Sequence, residues 1–139
     1  MSAGKNYNIQ TVRKVIAAGT VAATRTAIAA TVAAGMKRYV TFVRLESNGG
    51  ATNLGSRVYL VSTTAAGSAV TTAAAQAGLK MMLDLMSNIA QPKVVQLPLR
   101  IDTENPLFSI AAGRNLSVMK SGLAMASNPC SLFVQYYDQ

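Results

Sequence analysis

The chain has 139 residues, with 13 Lys or Arg against 5 Asp or Glu for a net charge of +8; half are hydrophobic and 6% are aromatic. It holds no His and one Cys, which excludes a Ser-His-Asp triad, a Cys-His dyad, a His-ligated metal, an internal disulfide and a thiolate zinc cage. A chain of this length is expected as one domain over 1–139, with a core large enough to fold without a staple.

At the N-terminus, 1–14 carries Lys5, Arg13 and Lys14 and is expected as an extended arm. The apolar stretch Val15–Ala23 contains Gly19 and Thr20 and lacks Leu and Phe, which makes a poor secretory core. Arg25 sits at the centre of the most apolar window, Val15–Gly35, so no membrane span is expected. Thr24–Val32 alternates as a strand would, with Ile28, Ala30 and Val32 on one face. Tyr39–Leu45 is a dense run of β formers, and Ser47–Gly50 is a strong stop signal. Arg57–Val61 alternates again, placing Val58 and Leu60 opposite Arg57, Tyr59 and Val61.

Segment 69–86 reads two ways. Leu79, Met82, Leu83 and Met86 follow helical spacing, whereas Met81, Leu83 and Leu85 alternate with Met82, Asp84 and Met86 as in a strand. A loop or short helix over Ser68–Ala77 followed by a strand over Lys80–Met86 is the favoured arrangement. Lys93–Arg100 reads as a strand that Pro98 confines to an edge or ends early, because proline donates no ladder hydrogen bond. Asp102–Pro106 is a polar connection. Asn115–Lys120 sets Leu116 and Val118 on one side, and Ser131–Tyr137 sets Leu132, Val134 and Tyr136 opposite Phe133, Gln135 and Tyr137. A strand so close to the C-terminal end is expected to be central and well paired.

The tripeptide Ala-Ala-Gly occurs four times, ending at Gly19, Gly35, Gly67 and Gly113, and reads as turns. About eight short strands with turns between them, and at most one short helix near 69–86, define an all-β fold. An antiparallel β-sandwich of jelly-roll type fits this best.

Reactive chemistry is sparse. The chain has no phosphate-binding loop, dinucleotide fingerprint, nucleophile elbow or calcium-binding loop, and neither a cofactor nor a metal is expected. Asp102 and Glu104 are the one close carboxylate pair; turn chemistry and solvation explain them better than glycosidase chemistry does. Arg13-Lys14 and Lys37-Arg38 are the most compact basic pairs. These six residues are the candidate interface, with the acids available to a base on a neighbouring subunit. The other bases are scattered, without the clustering of a nucleic-acid tail. The tyrosines are read mainly as packing residues, and Cys130 as a small hydrophobe without a base to activate it. No enzymatic activity is expected.

Two segments together carry a resemblance. One is Ala33-Ala34-Gly35-Met36-Lys37-Arg38-Tyr39-Val40-Thr41, a small-residue turn entering a strand. The other is Pro106-Leu107-Phe108-Ser109-Ile110-Ala111-Ala112-Gly113-Arg114-Asn115-Leu116-Ser117-Val118, followed by Leu132-Phe133-Val134-Gln135-Tyr136-Tyr137. This layout, over about 31–46 and 106–137, resembles the small jelly-roll head decoration (cement) and minor structural proteins of tailed bacteriophages. The resemblance implies a homotrimer on the capsid exterior that clamps major capsid protein subunits, made in the host cytoplasm. It transfers no site residues. Net positive charge would complement an acidic capsid surface. Two alternatives stand beside it. One is a coat protein that contacts the viral genome through its basic N-terminal segment. The other is a receptor- or carbohydrate-binding jelly roll, disfavoured by loops that lack Trp and acid-aromatic clusters.

Overall fold

A computed structural model describes residues 7–16, 26–47, 57–64, 78–84, 93–98, 100–120 and 130–139. Nine strands are present among them: β1 (Gln10–Ile16), β2 (Thr26–Ala27), β3 (Arg38–Ser47), β4 (Arg57–Thr63), β5 (Leu79–Asp84), β6 (Lys93–Leu97), β7 (Phe108–Ile110), β8 (Asn115–Lys120) and β9 (Cys130–Asp138). They form two antiparallel sheets. One runs β1-β9-β3-β6, with β7 also paired to β3, and the other runs β2-β8-β4-β5.

The pairing has a simple logic. β1 pairs with β9, β2 with β8, β3 with both β6 and β7, and β4 with β5. The chain is a long ribbon folded back on itself, then wound so that alternate ribbon segments fall in opposite sheets. That is the jelly-roll arrangement. β6 and β7 share one position in the ribbon, so nine strands occupy eight places.

Alternation puts one face of each sheet into the core. Val40, Val43, Leu45, Leu132 and Val134 from the first sheet meet Val58, Leu60, Leu83, Leu116 and Val118 from the second, all at most 4% exposed. Each such side chain contributes on the order of 1.5–3 kcal/mol by leaving water. β3 keeps Val40 and Val43 on the same face although they are three residues apart. The register with β9 shifts between Val40 and Phe42, and this bulge at Thr41 resets the alternation. Thr41 itself is buried and donates its hydroxyl to the Gln135 carbonyl at 3.3 Å.

Part of the other face of the second sheet, along β4 and β8, is also buried. Val61, Thr63, Asn115 and Ser117 are all at most 6% exposed. The Thr63 and Ser117 hydroxyls lie 3.0 Å apart and share a hydrogen bond, and the Thr31 hydroxyl donates to Asn115 Oδ1 at 3.0 Å. Burying these polar groups is tolerable because they find partners.

Several expectations meet the structure directly. β5 settles 79–84 as strand, while Ser68–Ala77 lies outside the described residues. β6 is an edge strand that stops at Leu97, before Pro98. Leu116 and Val118 face the core, as do Leu132, Val134 and Tyr136. Gly35 and Gly113 have φ of +76° and +77°, the left-handed turn that glycine permits at little cost; the turns at Gly19 and Gly67, and most of Ser47–Gly50, lie outside the described residues.

Two expectations change. The Thr24–Val32 strand reduces to Thr26–Ala27 within the described residues. Beyond it the chain still follows β8, with Ile28 N donating to Leu116 O at 2.8 Å and Val32 N to Arg114 O at 3.0 Å. Ile28 and Val32 are buried while Ala30 is exposed, a spacing that no regular strand gives. In the expected N-terminal arm, Gln10–Lys14 belongs to β1 and pairs with β9 along its length, because Val12 packs against the core.

β9 lies between β1 and β3, so its removal leaves β1 without a partner strand among the described residues and strips one edge of β3. Deleting Ser131–Gln139 is expected to abolish folding, read as loss of the β circular-dichroism signal and of soluble protein. A soluble, sheet-rich truncated chain would refute the central placement of β9.

Candidate functional site

Most of the described charged groups fall into three clusters; Lys80, Arg100 and Arg114 lie outside them, and Arg114 donates to Ser62 Oγ at 2.7 Å and to Ser62 O at 2.9 Å. The first closes one end of the sandwich. Arg38 begins β3 directly opposite Asp138 on β9. Its Nε and Nη2 donate to the two Asp138 carboxylate oxygens, each at 2.8 Å, and Nη1 donates to the Ala30 carbonyl at 2.8 Å. The guanidinium carbon lies 4.2 Å from the Tyr136 ring centroid. Arg38 is 3% exposed and the Asp138 side chain 29%. A planar fork on a carboxylate, resting on an aromatic face, is the geometry for which arginine is suited and lysine is not. Next to it, Lys37 N donates to Gln139 O at 2.8 Å and Gln139 N to Lys37 O at 2.9 Å. The structure thus separates the expected Lys37-Arg38 pair. The Lys37 residue is exposed, whereas Arg38 is an internal tie between β3, β9 and the segment at Ala30.

The second cluster is the 102–105 turn. Asp102 Oδ1 accepts from Glu104 N at 3.0 Å and Oδ2 accepts from Asn105 Nδ2 at 2.7 Å. The Asn105 amide hydrogen bond, and then that of the Glu104 backbone, hold the Asp102 carboxyl below its ordinary value. Glu104 Oε1 accepts from the Tyr7 hydroxyl at 2.9 Å. Tyr7 meets Tyr137 with centroids 4.5 Å apart, Tyr137 stacks on Tyr39 at 5.1 Å, and the Tyr137 hydroxyl donates to Thr103 O at 3.3 Å. The two carboxylates therefore serve the turn and tie it to the sheet through tyrosines.

The third lies on the outer face of the first sheet. Arg13, Phe133, Arg44 and Gln96 form one cross-strand row through β1, β9, β3 and β6. Arg13 Nη2 donates to Ser131 Oγ at 3.0 Å, and its guanidinium lies 5.8 Å from the Phe133 ring centroid. Arg44 pairs with Glu46. Lys14 is the next residue on β1, half-buried, and points to the other face.

Of the six expected residues, the structure brings together Asp102 with Glu104, and places Arg13 beside Lys14 on β1. Asp138, the partner that decides the role of Arg38, was missed; the signal available was a lone acid ending an apolar strand. Arg44 and Phe133 were missed too, since only the register shows them beside Arg13. Among the described residues no group of three His, Cys, Asp or Glu could hold a metal ion, and no helix is long and apolar enough to cross a membrane.

No family model matches the chain, and no curated protein matches its sequence. Solved structures do show likenesses. A chain of the cyanophage Pam1 capsid asymmetric unit is 16% identical with a TM-score of 0.44, covering 99% of this chain and 89% of its own. A chain of Bacillus endospore appendages, described as disulfide-linked pili, is 14% identical with a TM-score of 0.40, covering 99% and 94%. A chain of Desmodium yellow mottle tymovirus is 15% identical with a TM-score of 0.38, covering 99% and 90%. Likenesses this distant say nothing of function by themselves.

The asymmetry of the Arg38–Asp138 pair gives a stability test. Asp138→Ala strands a buried guanidinium and is expected to cost about 3–5 kcal/mol. Arg38→Met leaves a carboxylate that already reaches water and is expected to cost less, both measured by urea unfolding. For Asp102, whose carboxyl is held low in the folded chain, the contribution to stability is present above its ordinary value and lost as pH falls through the lowered one. Asn105→Ala is expected to move the Asp102 carboxyl upward in an NMR titration.

Proposed function

We propose that the chain is a non-catalytic structural protein of a virion, which decorates a phage capsid from outside as a homotrimer and stabilises it by binding between major capsid subunits. The observation that carries this reading is where the two resembling segments lie. Residues 31–46 supply most of β3, and 106–137 supply β7 and most of β9, both of which pair with β3, together with β8 of the opposite sheet. The strands β3, β7 and β9 of the two segments are neighbours in one sheet of the jelly roll, and β8 lies in the other.

The electrostatics support the same reading. Arg38 and Asp138 are committed to each other, Arg44 to Glu46, and Asp102 to its own turn. The residues Arg13, Lys37, Lys80 and Arg100 are exposed. Scattered cations suit contact with an acidic protein lattice better than tracking of a phosphate backbone. Many weak, symmetry-repeated contacts can hold such a protein without a deep pocket.

Light scattering after size exclusion tests the assembly. A mass three times the 14.5 kDa chain is expected, and a strict monomer would sink the trimer. A gel-shift series from low to physiological salt tests the genome-binding alternative. No shift is expected at about 0.15 M salt, whereas tight binding that weakens steeply with salt would favour a coat protein. The gene is expected beside those for a portal or capsid protease.

A further inference from the structure

β1 is the end strand of its sheet. One edge pairs with β9 over all seven residues; along the other edge no strand lies among the described residues. The residues Gln10, Thr11, Arg13 and Val15 are exposed, Val15 by 50%. An open edge of this length presents backbone N–H and C=O groups on which another chain can build.

Charge selects the occupant. β1 carries Arg13 and Lys14 and no acid, and Glu46 is the first acid in the whole sequence. Among the described residues neither cation has a carboxylate within ion-pair distance. Because successive residues point to opposite faces, the two cations flank an incoming strand on both sides. A second copy of β1 is a poor occupant. Antiparallel self-pairing in full overlap sets Arg13 opposite Arg13, and a one-residue slip in one direction sets Arg13 opposite Lys14. Like charges directly opposite one another destabilise a strand pair. We propose that the outer edge of β1 accepts an extended, acidic segment of a partner protein as an added strand, with carboxylates opposite Arg13 and Lys14. That the partner is a capsid subunit rests on the virion reading; the preference of the edge for acidic strands does not.

The test uses the isotope-labelled full chain and two synthetic heptapeptides: a Val/Glu peptide with two adjacent central glutamates among valines and threonines, so that one carboxylate faces each cation, and a Val/Lys peptide with lysines in their place. At low salt the Val/Glu peptide is expected to shift the backbone amides of Gln10–Ile16 and to bind about tenfold tighter than the Val/Lys peptide, as reversal of two cross-strand charge pairs implies. The double variant R13E/K14E is expected to invert that preference, and an unchanged amide spectrum away from β1 shows that it still folds. Equal binding of both peptides, shifts confined to the Phe133–Arg44 face, or no binding overturns the proposal. So do β1 shifts that depend on protein concentration alone, because a second copy would then hold the edge. The oligomer measured separately keeps the two questions apart: a trimer that ignores both peptides refutes only the edge, and a monomer that prefers Val/Glu refutes only the trimer.

Discussion

The five-stranded sheet depends on the insertion of β9 between β1 and β3. β9 hydrogen-bonds on both edges, and its Leu132, Val134 and Tyr136 fill the core between the sheets. Its partners are distant in sequence: Gln10 pairs with Tyr136, and Arg38 with Asp138. Such pairing must overcome loop-closure entropy before any contact rewards it. The outer turns of the ribbon are therefore completed only once its two ends have met.

The Arg38–Asp138 pair sits where that meeting ends. It is a costly device by desolvation alone, since a buried ion pair often stabilises no more than hydrophobic residues of the same shape. What it adds is register. The guanidinium fork, the Ala30 carbonyl and the Tyr136 ring are satisfied together in one alignment of β3 on β9. A slip of one residue would turn the inward set of one of the two strands, Val43 with Leu45 or Leu132 with Val134, toward solvent. The bulge at Thr41 complements the lock, since it lets Arg38 and Val40 share the inner face with Val43 and Leu45.

How far the fold is legible in sequence follows from this geometry. β8 and β9 keep a strict period of two, so their inward residues can be read directly. β3 cannot be read that way, because its bulge breaks the period between Val40 and Val43. The 28–32 segment is similar: Ile28 and Val32 are buried four residues apart along an irregular path beside β8. The ambiguous 79–84 run resolves as strand because β4 lies alongside it, a tertiary fact absent from local spacing. The sites divide in the same way. The Asp102–Asn105 turn is local, and its residue types announce it. The fate of Arg38 depends on a residue 100 positions away, so two adjacent bases looked alike until the register separated an internal tie from a surface charge.

The ribbon also has a consequence in time. β1 is synthesised more than a hundred residues before the strand that covers its inner edge. At roughly 5–20 residues per second, it waits on the order of ten seconds with both edges bare. Bare strands of neighbouring nascent chains are a hazard for aggregation, and charges are the usual gatekeepers against it. Every charge before Glu46 is positive, so the early portions of neighbouring chains repel one another throughout that interval. The acid-free leading third thus protects the chain on the polysome, before there is any fold for it to serve.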